Sequence, residues 1–163
     1  SGVMATMKST LYLTKYATCL SMARTVVGAV TLNSSVGGLN PAAVELAGRA
    51  GAKIVWFPTC DSQYEQQHVF PENPGKAVKL PFWANIIIQM REENISCPTI
   101  TLLHEDGKLK DEVWDILDII AKWDMVLATG HISHEETFAL ISAGKERGVK
   151  KMVVTHVDFP STF

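Results

Sequence analysis

The chain has 163 residues, 47% of them hydrophobic, and a formal net charge of −2. That is enough apolar residue for one domain-sized core, and it offers no bulk positive charge to draw a nucleic acid. No apolar run reaches the roughly 18 residues of a membrane span, and no charged-then-apolar leader follows Ser1, so a cytoplasmic protein is expected.

In chain order, five short apolar runs read as strands buried on both faces: 3–7, 26–32, 53–57, 125–129 and 152–155. Helical patterns lie between most of them. Residues 11–24 follow the first run. NPAAVELAGRAG follows the second, with Asn40 as N-cap, Pro41 in the first turn and Gly51 as stop. Residues 111–123 precede the fourth run and carry Val113, Ile116, Leu117 and Ile120 at helical spacing. SHEETFALISAGKERG follows it, with Ser133 and Glu136 as a capping box and Gly148 as stop. The junctions RAGAKIVWF and ERGVKKMVV match each other: a helix closing on glycine, a lysine, then a strand. Repeated βα units with right-handed crossovers predict a parallel sheet in a single α/β domain over 1–163.

An insertion at about 62–109 breaks this rhythm. PENPG is a loop, FWANIIIQM is a short helix or a strand, and TITLLHEDGKL is a strand entering an Asp106-Gly107 turn. Cys19, Cys60 and Cys97 stand far apart with no CxxC pair, which predicts reduced thiols rather than a disulfide framework.

Chemistry in parallel α/β folds sits at the carboxyl ends of the strands. Those ends are polar here: Lys8-Ser9-Thr10, Asn33-Ser34-Ser35, Pro58-Thr59-Cys60-Asp61, Gly130-His131, and His156 followed by Asp158. Two histidines ending adjacent parallel strands would stand about 5 Å apart at the backbone, close enough to share one ion. Asp61 is a ligand, a base or a turn cap. His68, in the insertion, can fold over the site, whereas His104 and His134 read as solvated. Gly37 and Gly38 let the chain turn tightly before a helix, a place that suits a phosphate or carboxylate as well as an ordinary capped loop.

NSSVGGLNPAAVELAGRAGAKIVWFPTCDS and LATGHISHEETFALISAGKERGVKKMVVTHVDFP resemble an uncharacterised amidohydrolase-like family among the metal-dependent hydrolases built on TIM barrels. The resemblance runs from Lys8 to about Pro160 and is thinnest in the insertion. It implies a (β/α) TIM-barrel-like fold, partial in this chain, with about five βα units where a whole barrel takes eight. It further implies a divalent metal, zinc by family habit, held by His131 and His156, and a small-molecule substrate with an amide or ester-type bond. Asp61 or His68 would then act as base or beside the ligands. The chain holds no HxH pair and no apolar run after His156, so the expected site is weak and the expected molecule is a natural fragment or a trimmed chain that self-associates. Two other readings stay open: a non-catalytic barrel remnant, and an open flavodoxin-like sheet with an anionic ligand at Gly37-Gly38.

Overall fold

The computed structural model describes residues 27–70, 80 and 82–157. The expected strand at 3–7 and helix at 11–24 lie outside these residues, as do the PENPG loop and Asp158. The described elements, in chain order, are β1 (Gly28–Thr31), α1 (Pro41–Arg49), β2 (Ala52–Trp56), α2 (Gln63–Val69), α3 (Phe82–Glu92), α4 (Asp111–Lys122), β3 (Val126–Ala128), α5 (His134–Glu146) and β4 (Lys151–Val153). A single 3-10 turn, Ser34–Val36, follows β1.

The described residues form an α/β fold with a four-stranded sheet in the order β1-β2-β3-β4, every neighbouring pair parallel. β1, β3 and β4 are shorter than their apolar runs, and β2 has the length of its run shifted by one residue. The ladder nevertheless continues for one bond past the strand ends, with Leu32 N–H donating to Trp56 O, Phe57 N–H to Ala128 O and Thr129 N–H to Val153 O.

Registered partners in a parallel sheet share a face. Val30, Val55, Leu127 and Met152 form one row across the sheet. That row packs into a single core with Val44 and Ala47 of α1, Val113, Ile116, Leu117 and Ile120 of α4, and Leu140 and Ala143 of α5. Fully burying a Val, Leu, Ile or Phe side chain stabilises the fold by about 1.5–3 kcal/mol each, so this shared core holds the sheet and the three helices together. The opposite face carries Ala29, Ile54 and Val126 in one row and Thr31, Trp56, Ala128 and Val153 in another. Ile54, Trp56, Val126 and Val153 take no part in that core, and Val153 is 49% exposed.

Helix ends follow the expected signals. Asn40 caps α1 by accepting from the Ala42 and Ala43 N–H groups, and Pro41 stands first in the helix. Gly51 and Gly148 both take positive φ just beyond α1 and α5. The Ser133–Glu136 capping box is complete. FWANIIIQM lies in α3, whose buried Ala84 and Ile87 are three apart, a helical interval.

The inserted stretch is anchored at both ends. After α3 the chain returns so that Ile100 pairs in parallel with Ser62, and Leu103 and Leu109 then face each other across the Asp106-Gly107 turn. Leu102 is fully buried in the main core, which makes the insertion part of the same packing unit.

Candidate functional site at the strand ends

The polar exits of the four strands are stitched together side by side. Between β1 and β2, the Asn33 side-chain amide donates to Thr59 Oγ1 at 2.9 Å and to Cys60 Sγ at 3.2 Å. Its Oδ1 accepts the Thr59 N–H at 2.9 Å. Asp61 is buried, and its Oδ2 accepts the Ser34 N–H at 2.7 Å and the Ser34 hydroxyl. The exit after β3 is tied back to the β2 exit, with the His131 N–H donating to Pro58 O at 2.9 Å and the Ser62 hydroxyl donating to His131 O. Between the β3 and β4 exits, Gly130 N–H donates to Thr155 Oγ1 at 3.1 Å, and Thr155 N–H donates to Thr129 Oγ1 at 3.0 Å. Threonine at both positions thus replaces a ladder bond with a reciprocal pair and sends the chain out of the sheet toward the two histidines.

Those histidines meet. The His131 and His156 rings lie 5.2 Å apart, centroid to centroid, with their planes at 54°. His156 takes a left-handed backbone, φ 53°, which turns it abruptly out of the strand direction. His131 Nδ1 is buried and has no hydrogen-bond partner among the described residues. The carboxylate of Glu65 is close by, Oε1 3.6 Å from Nδ1, and the Glu65 side chain is 10% exposed against 26% for His131. Glu65 belongs to α2 and was not legible as a site residue: Ser62-x-x-Glu65 is an ordinary helix-start pattern.

The other expected residues are placed as follows. Asp61 stands at the same end of the sheet, and its carboxylate clamps the Ser34 turn. Burial, with the Asp61 charge beside it, pushes the Cys60 thiol up to about 11, so Cys60 is held as a neutral thiol. His68 lies exposed on α2, its ring 4.2 Å from that of Tyr64 and its Nδ1 2.8 Å from Tyr64 O. Tyr64 in turn lies 6.3 Å from His134. Gly37 and Gly38 both have positive φ. Their N–H groups donate to Ser34 O at 2.9 Å and Asn33 O at 3.0 Å, so both are taken up inside the loop. His104 is exposed, as expected. No group of three or more His, Cys, Asp or Glu side chains that could hold a metal ion occurs among the described residues, and no described helix is long and apolar enough to cross a membrane.

Residues 2–163 match the profile of DUF6282, a family of unknown function. No curated protein and no solved structure matches the chain.

Proposed function

The chain belongs to DUF6282, a family of unknown function, and we propose that it is a metal-dependent hydrolase whose ion, zinc by choice of ligand, is held by His131 and His156. One observation carries this reading: the two imidazoles stand 5.2 Å apart at the exits of neighbouring parallel strands. Neutral imidazole is a common zinc ligand, and catalytic zinc takes three protein ligands. The two histidines fit as two donors of such a set. Asp61, buried at the same end of the sheet, is a carboxylate of the right type for the third.

A bound ion would lower the pKa of a water to about 7 and polarise the oxygen of an amide or ester-type carbonyl. The chain's own residues supply the frame. Thr129 and Thr155 fix where the strands end, Pro58 and Ser62 fix the His131 backbone, and Asp61 holds the neighbouring Ser34 turn.

The strand order supports a partial (β/α) TIM-barrel arrangement over a flavodoxin-like one. A doubly wound sheet reverses its order at a switch point, whereas the four described strands run in plain sequence. Right-handed crossovers between consecutive strands put all the helices on one face. The second face, with Ile54, Trp56, Val126 and Val153, is left outside the core among the described residues, and a second copy of the chain seated on it would make a homo-oligomer.

Zinc titration by calorimetry tests the function. Binding by the wild-type chain and its weakening at least about tenfold in both His131→Ala and His156→Ala is the expected result, a loss of at least about 1.4 kcal/mol each. Binding that ignores both substitutions, or no binding at all, removes the proposal.

A further inference from the structure

Ser-x-x-Glu stands at two helix starts in this chain, Ser62 to Glu65 and Ser133 to Glu136. At α5 the motif closes on itself: the Ser133 hydroxyl accepts the Glu136 N–H at 3.2 Å, and Glu136 Oε2 accepts the Ser133 N–H at 2.8 Å. At α2 only the first half forms. The Ser62 hydroxyl accepts the Glu65 N–H at 3.2 Å, but the Ser62 N–H goes to Thr59 O at 3.0 Å. The Glu65 carboxylate is thereby released from capping, and it lies 3.6 Å from His131 Nδ1.

The same Ser62 hydroxyl donates to His131 O. One side chain therefore fixes the backbone of both members of the pair. Around them, Nδ1 is buried without a hydrogen-bond partner, and Glu65 is buried as a residue. A buried donor left without an acceptor is costly. At 3.6 Å the contact is longer than a hydrogen bond, and an approach of about half an ångström makes it one. The alternative tautomer, with Nδ1 bare, would set a lone pair against a carboxylate oxygen.

We infer that Glu65 is a positioning residue for His131: its carboxylate accepts a hydrogen bond from Nδ1–H, which keeps the proton on Nδ1 and leaves Nε2 as the lone-pair nitrogen. Because Nδ1 is buried while 26% of the His131 side chain remains exposed, the accessible part of the ring is the part away from Glu65. A histidine that binds a metal or accepts a proton works through one nitrogen, chosen by the hydrogen bond that the other makes. The inference rests on reading His131 as a working residue, but the position of its proton is a property of the metal-free chain.

The test is a two-bond proton–nitrogen correlation spectrum of the full chain labelled with nitrogen-15, recorded with the imidazoles neutral. His131 in the wild type is expected to carry its proton on Nδ1. Glu65→Gln, which keeps an acceptor oxygen, is expected to preserve that tautomer. Glu65→Ala is expected to move a substantial fraction of the proton to Nε2, and to weaken zinc binding about 10- to 100-fold. Nε2–H as the main wild-type form, or a tautomer unchanged in Glu65→Ala, overturns the inference. Should Glu65→Ala fail to fold, the wild-type and Glu65→Gln spectra decide it: Nδ1–H in both supports it, and Nε2–H in either overturns it. The two readings fail separately. A tautomer that follows Glu65 without any zinc binding removes the metal site alone, and zinc binding through both histidines with a tautomer indifferent to Glu65 removes this inference alone.

Discussion

Gly130 has φ +71°, and a Cβ placed on it would lie 2.3 Å from Phe57 O and 2.4 Å from Pro58 O. Its backbone is pressed onto the β2 exit so that the next residue, His131, can bond Pro58. Gly130→Ala combines a left-handed strain with a backbone clash and is expected to destabilise the protein by at least about 2 kcal/mol, read by denaturant unfolding. Cys60 is the second test at this scale. A rise from the ordinary 9.0 to about 11 leaves about a hundredfold less thiolate at neutral pH than a free thiol has. Peptide mapping after iodoacetamide treatment at pH 7 should therefore show Cys60 alkylated about two orders of magnitude more slowly than free cysteine. Rapid labelling of folded protein would contradict the buried, Asp61-facing thiol.

Among the elements, α5 and α1 have unequal fastenings. Glu136 is buried, and besides its capping bond its Oε1 accepts from the Thr101 hydroxyl and the Leu102 N–H, both at 2.7 Å. One carboxylate therefore joins a helix start to the returning insertion. Glu136→Ala strands three donors and should lose about 2–4 kcal/mol, whereas Ser133→Ala should lose about 1 kcal/mol. At α1, Glu45 accepts from Trp123 Nε1 at 2.9 Å and from Lys122 Nζ at 3.0 Å. The Trp123 bond first, then Lys122, holds its carboxyl down at about 2 from an ordinary 4.5. A lowered folded-state pKa means the contribution is complete above about pH 4.5 and fades as the pH falls toward 2. Glu45→Gln should thus melt below the wild type at pH 7, with the gap closing in acid. The helix starts and stops here were legible because capping is local: Asn40-Pro41, Ser133-Glu136 and the glycines after α1 and α5 act within one turn. The same locality hid Glu65, whose pattern is a capping box and whose partner lies 66 positions further along the chain. It also left Asp61 with three readings, since nothing near it in sequence announces Ser34. His131 and His156 were legible because each stands within two residues of the end of an apolar run, and parallel pairing then brings their exits together.

At the scale of the whole molecule, one sheet face is filled by α1, α4 and α5, and the other presents Ile54, Trp56, Val126 and Val153 outside that core. Apolar faces of this kind are covered in stable proteins. Light scattering at micromolar concentration is expected to show a dimer or larger assembly, with an interface of at least about 1,000 Å², and Val153→Glu should weaken it. A monomer at that concentration would contradict self-association through this face.

The central claim is that the exits of β3 and β4 form one ligand set. X-ray absorption on the zinc-loaded chain addresses it most directly, because imidazole nitrogens at about 2.0–2.1 Å can be counted. The account predicts two imidazoles in the wild type and one in each of His131→Ala and His156→Ala. Two imidazoles retained in either variant, or none in the wild type, would contradict it.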